Sequence, residues 1–246
     1  MTTSGTTSFN LDLNELVEEA FERCGSELRT GYDLKTARRS LNLLFADWAN
    51  RGINLWTIEQ GQISLVQGQV TYNLPVDTVD LLEHVIRTDA GNTANQADLT
   101  ITRISVSTYA TIPNKLAQGR PIQVWVNRQS GATEPDGLIP PGTVVNAPNI
   151  NVWPAPDGAQ TYTFVYWRMR RIQDAGSGGE KTMDIPFRFL PCLTAGLAYY
   201  LSLKIPDALP RMGSLKAMYD EAWEFAAGED REKAPDRLVP RQMYIT

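Results

Sequence analysis

The sequence predicts an α+β fold: a helical bundle of two N-terminal and two C-terminal helices, an inserted antiparallel β domain, and an extended C-terminal tail. Three observations predict it. Apolar residues recur at helical spacing between residues 13 and 50, and again between 187 and 228. From Leu55 to about Met183 the period falls to two, and Pro/Gly clusters interrupt it. Beyond Gly228 the chain interleaves charges with prolines and holds too few apolar residues for a core.

Residues 1–10 are polar and Ser/Thr-rich and read as a flexible arm, without the basic start and apolar stretch of a secretory signal. The first helix is expected over Leu13–Cys24, with Leu13, Leu16, Val17, Ala20, Phe21 and Cys24 on one face. Asp12 with Glu15 forms a capping-box pattern, and Gly25 ends the helix. A second helix is expected over Asp33–Asn50, striped by Leu34, Ala37, Leu41, Leu44, Phe45 and Trp48 and stopped at Gly52. The short link between them permits an antiparallel hairpin.

Ile63 and Leu65, then Val70, Tyr72 and Leu74, alternate about Gln67-Gly68 as a β-hairpin would. Further strands are expected at 82–88, 99–104, 122–127, 149–153 and 161–168, with one short helix within 105–115. Asp174 to Gly179 has the composition of a linker and lacks the Lys-Ser/Thr of a phosphate loop. A third helix, 187–204, is apolar around most of its girth and belongs at the centre of the bundle. The fourth, 210–228, carries Met212, Leu215, Tyr219, Ala222 and Ala226 on one stripe, with Asp220, Glu221 and Glu224 on a solvated face. The domains expected are therefore 11–54 with 184–228 as the bundle, 55–183 as the β-rich insertion, and 229–246 as the tail.

The composition also excludes classes of chemistry. Adjacent acids such as Glu18/Glu19 and Asp220/Glu221 diverge by about 100° on a helix and cannot converge on one substrate. His84 has no second histidine, and Cys24 and Cys192 sit among apolar neighbours as two buried thiols. No catalytic residue, metal ligand or cofactor is expected. A net charge of −5 argues against DNA binding through the whole surface, though not against a wall that DNA slides past. No apolar run reaches the roughly 20 residues of a membrane span. One rival reading is a carbohydrate-binding or cell-surface β module in which Trp125, Trp153 and Trp167 stack on sugar rings. Aromatics at strand spacing are more often core. The tail has a sharper reading than a disordered end. Its cations Arg231, Lys233, Arg237 and Arg241 would pair with carboxylates, and Met243, Tyr244 and Ile245 would fill a pocket in another protein.

Several segments, taken in order, resemble a known family. They are Leu41-Asn42-Leu43-Leu44-Phe45-Ala46-Asp47-Trp48-Ala49-Asn50-Arg51-Gly52 with Trp56-Thr57-Ile58-Glu59-Gln60-Gly61, and Tyr109…Ile112-Pro113-Asn114-Lys115…Gly119-Arg120-Pro121. Ile150 to Pro156, Ile185-Pro186 and Glu229-Asp230-Arg231-Glu232 complete the set. Together they resemble the head-to-tail adaptor (connector) proteins of short-tailed bacteriophages, which include the tail accessory factor of the P22-like phages and tail tubular protein A of the T7-like phages. The resemblance implies a virion protein at the head-tail junction, forming a ring, about twelve-fold, beneath the portal protein. It implies nozzle or other tail proteins and tail fibres as further partners, and double-stranded DNA passing through the channel without sequence-specific binding. Residues 229–246 would then be the portal-docking tail.

Overall fold

The computed structural model describes residues 3–29, 31–52, 55–129, 146–176 and 180–231. The chain divides into two compact units, one built from the chain up to Leu55 together with that from Gln173 onward, the other from Trp56–Ile172. Helices fill the first and antiparallel sheets dominate the second, which makes the fold α+β.

In the helical unit, α1 (Leu13–Cys24) begins with a complete capping box: Asp12 Oδ1 accepts from the Glu15 backbone N–H at 2.8 Å, and Glu15 Oε2 accepts from the Asp12 N–H at 3.2 Å. It ends at Gly25, whose φ of 75° only glycine adopts without strain. All six residues of its expected apolar stripe are buried. In α2 (Gly31–Asn50), five of the six expected stripe residues are buried and Leu34 is half-buried. These two helices pack far more on a third than on each other.

That third helix is α4 (Leu190–Ser202), reached through a 3-10 turn at Phe187–Phe189. It contacts α1, α2 and α5 (Met212–Glu229), so ten of its residues are buried on several sides, as its nearly uniform apolarity predicts. Contact between the helices is closest at Gly196, where an added Cβ would lie 2.9 Å from both Leu44 Cδ2 and Tyr219 Cε2. Trp48 Nε1 donates to the Tyr219 hydroxyl at 2.9 Å, which satisfies the polar atom of a fully buried indole. Both cysteines are buried free thiols, and Cys24 Sγ donates to the Ala198 carbonyl at 3.2 Å. Burial pushes the Cys192 thiol up to about 12. On α5, Asp220, Glu221 and Glu224 are exposed, in line with a solvated face.

The second unit holds β1 (Ile58–Leu65), β2 (Thr71–Asn73), β3 (Thr78–Thr88), β4 (Ala97–Thr100), β5 (Thr102–Ile104), the short α3 (Val106–Ala110), β6 (Gln123–Asn127), β7 (Asn149–Trp153) and β8 (Tyr162–Arg170). They form two four-stranded sheets, ordered β1-β8-β3-β4 and β2-β7-β6-β5. Pairing is antiparallel except between β5 and β6, which run parallel. One core cluster draws Leu81, Ile86, Phe164 and Tyr166 from the first sheet and Tyr72, Val124, Ile150 and Val152 from the second, so the sheets pack as two layers.

The expected hairpin over 63–74 does not form. β1 pairs with β8, Ile63 opposite Phe164, whereas β2 pairs with β7, Tyr72 opposite Ile150. Gln67-Gly68 is still a turn, but the Gly68 N–H donates to Pro156 at 2.9 Å and carries the chain from one sheet to the other. The expected strand 99–104 likewise divides at Ile101, β4 joining one sheet and β5 the other.

Candidate functional site: the root of the C-terminal tail

Of the residues expected to dock a partner, Arg231 is described, and it is exposed. Lys233, Arg237, Arg241, Met243, Tyr244 and Ile245 lie outside the described residues. What the structure does place is the point from which the tail leaves.

α5 ends at Glu229, and the Asp230 N–H still donates to Ala226 at 3.1 Å. Asp230 then turns inward, and its side chain is only 3% exposed. A buried carboxylate is tolerated only if charge and lone pairs are met. Here the Arg188 guanidinium pairs with Asp230 Oδ1, and the Leu55 backbone N–H donates to Oδ2 at 2.9 Å. One aspartate thus ties together the end of α5, the 3-10 turn before α4, and the chain leaving α2.

Arg51 forms the neighbouring wall. Its guanidinium carbon lies 4.8 Å from the centroid of the Trp223 ring and 5.1 Å from that of Tyr219, and its Nη2 is 2.7 Å from Asp47 Oδ2. Burial disfavours the Arg51 charge, but Tyr219 and Asp47 outweigh it and hold the pKa above its ordinary value. Behind it, Trp48 packs on Phe189 and Trp223, with centroids 5.6 and 5.2 Å away. Arg51, Gly52, Phe189, Trp223, Asp230 and Arg231 border a small cavity of about 240 Å³. The tail therefore departs from a rigid, aromatic-backed mount.

Sequence reasoning passed over Asp230 and Arg188 as a pair. Their separation of 42 positions carries no local signal, and the acidic-basic run 229–232 hides which carboxylate turns inward.

Two of the three tryptophans weighed as sugar platforms are engaged within the β unit. Trp125 stacks on Tyr109 with centroids 5.2 Å apart, and Trp153 Nε1 donates to the Asn114 carbonyl at 3.0 Å. His84 is half-buried on β3, its ring 5.8 Å from that of Phe164, and neither nitrogen is hydrogen-bonded. Burial is the main cause that lowers its pKa, assisted by Arg103. Among the described residues, no cluster of three His, Cys, Asp or Glu side chains could hold a metal, and no helix is long and apolar enough to cross a membrane.

No curated protein matches the sequence. The model of the SU10 adaptor protein family matches residues 11–241, a stretch that begins before α1, runs through both units and passes beyond the Asp230 mount. On that match, the chain belongs to the SU10 adaptor protein family.

Proposed function

We propose that this protein is a structural, non-catalytic subunit of a phage particle, joining the portal protein of the head to the tail. The observation that carries the reading is the adaptor-family match over residues 11–241, which takes in the helical unit, the β unit and most of the tail. In this reading the subunits close into a ring of about twelve copies beneath the portal, because cyclic symmetry lets one heterologous contact repeat without leaving an edge. Double-stranded DNA passes through the ring without sequence-specific contacts, a role compatible with the net charge of −5.

Residues 232–246 anchor the ring to the portal. Arg237 and Arg241 pair with carboxylates there, and Met243, Tyr244 and Ile245 fill an apolar pocket. The Asp230 mount supports this role because a fixed root raises the effective concentration of every tail once the first has bound. The β unit is left to meet nozzle proteins or fibres.

The test is mass photometry of the chain mixed with the portal encoded by the same genome, beside a chain ending at Arg231, which keeps Asp230 in place. A discrete multi-copy gain in mass that the shortened chain loses supports an adaptor anchored by its tail. Full binding by the shortened chain would remove the tail from the portal contact, and no association by the intact chain would sink the reading.

A further inference from the structure

A groove of about 710 Å³ lies in the helical unit between α1 and the start of α4. Its walls differ in character. Glu15, Glu18, Glu19 and Glu22 of α1 line one side, and Phe187, Leu190 and Pro191 supply apolar surface on the other. Phe9 and Phe187, which both border it, are 76% and 78% exposed. Two of the acids already have work: Glu15 closes the capping box, and Glu19 pairs with Arg23 at 2.8 Å. Glu18 and Glu22 are exposed, one helical turn apart, and make no ion pair among the described residues. Like charges at that spacing repel, so a cation between them removes a standing cost.

Arg188 also lines this groove, and it is the residue that holds Asp230. The described chain ends at Arg231, the next residue, so the segment that follows starts within one side chain of the groove. From there residues 232–246 can span up to roughly 50 Å when extended, ample to enter it. The stretch Arg237-Leu238-Val239-Pro240-Arg241-Gln242-Met243-Tyr244-Ile245 has two arginines, no acid and six apolar residues. In the extended form that Pro240 favours, its arginines would stand about 12 Å apart. Glu18 and Glu22, the two remaining acids, stand about 6 Å apart along α1. Two long, flexible arginine side chains can converge from a backbone separation of about 12 Å onto that pair, and the apolar residues that follow would meet the wall that Phe187, Leu190 and Pro191 provide.

We infer that the groove between α1 and α4 is an intramolecular seat for the chain's own segment Arg237–Ile245, with Arg237 and Arg241 on the glutamates of α1 and Met243 to Ile245 on the apolar wall. The seat keeps an adhesive peptide covered in the free chain. A stronger partner for the same residues then displaces it. The inference rests on the groove and the tail sequence and holds whether or not that partner is a portal.

The experiment places a photo-crosslinking p-benzoylphenylalanine at position 244 of the full chain, replacing Tyr244, and maps crosslinked peptides by mass spectrometry. A mixture of isotopically light and heavy chains separates crosslinks within a chain from those between chains. The expected result is crosslinking within one chain, into residues 9–23 or 187–194. Its yield should fall about fivefold in the Glu18→Lys, Glu22→Lys variant, as loss of two exposed ion pairs predicts. Raising NaCl from about 50 to about 500 mM should lower the yield in the chain that keeps both glutamates, which tests the charge contribution without those substitutions. Crosslinks elsewhere, crosslinks only between chains, or a yield indifferent to both charge reversal and salt would overturn the inference. None of these outcomes bears on portal binding, which the mass measurement reads separately.

Discussion

Replacing Asp230 tests the tail mount most directly. Its carboxylate is 3% exposed, is paired with Arg188 and accepts the Leu55 N–H at 2.9 Å. Asp230→Ala removes both interactions. A hydrogen bond to a charged group contributes about 1.5–3 kcal/mol, and an amide left without its acceptor costs about 1 kcal/mol or more. Arg188 is 37% exposed and regains water, which offsets part of the loss. The expected destabilisation is about 2–3 kcal/mol. Asp230→Asn keeps an acceptor for Leu55 and should cost about 1 kcal/mol less than the alanine change. Arg188→Met should cost about 3 kcal/mol, because it strands a buried carboxylate. The double variant should then be more stable than the two single losses predict, by about 1.5–2 kcal/mol. The assay is urea unfolding followed by tryptophan fluorescence, since Trp223 borders the same cavity as Asp230 and Trp48 packs against it. A cost below about 0.5 kcal/mol for Asp230→Ala, or additive behaviour of the pair, would refute the claim that this carboxylate anchors the root.

Three further outcomes are expected. Gly196→Ala should destabilise the helical unit by about 1–3 kcal/mol, measured by thermal unfolding, since the new methyl meets two buried side chains at 2.9 Å. Arg168→Met should cost about 2 kcal/mol in urea unfolding, because its guanidinium joins Asp77 at 2.6 Å and Glu59 at 2.8 Å from a largely buried position while both acids stay partly solvated. Burial pushes the Asp77 carboxyl up, but the Arg168 guanidinium outweighs it and holds the pKa below the ordinary carboxylate value. That contribution is therefore present above the unfolded aspartate's pKa of about 3.9 and lost as pH falls through the lower folded value; stability measured at stepwise lower pH should show the loss, and Arg168→Met should flatten it. His84→Phe should stabilise the β unit by about 1 kcal/mol, since it removes two buried nitrogens that lack hydrogen bonds. It should also abolish the decline in stability that the lowered His84 pKa predicts as pH drops below the unfolded value of about 6.5.

The sequence by itself determined the features whose causes lie within a few residues. The capping box at Asp12 and Glu15, the stop at Gly25 and the buried stripe of α1 are each fixed by neighbours three or four positions away. The central place of α4 was legible too, because a helix apolar all round must be covered all round. Strand identity was similarly local, since the expected strand 161–168 lies within β8 apart from its first residue, and the structure then puts Tyr162, Phe164 and Tyr166 in the core cluster. Strand partnership was not. Ile63 and Tyr72 carry the same alternation whether they face each other or face Phe164 and Ile150, 101 and 78 positions further along, and nothing in the period distinguishes these cases. The same holds at the tail, where Glu229, Asp230 and Glu232 are equivalent acids until the fold brings Arg188 and the Leu55 N–H to one of them. Periodicity reports which face of an element is buried. The choice of what lies against that face is a long-range competition for burial and hydrogen bonds, and it is settled only when the whole chain has collapsed.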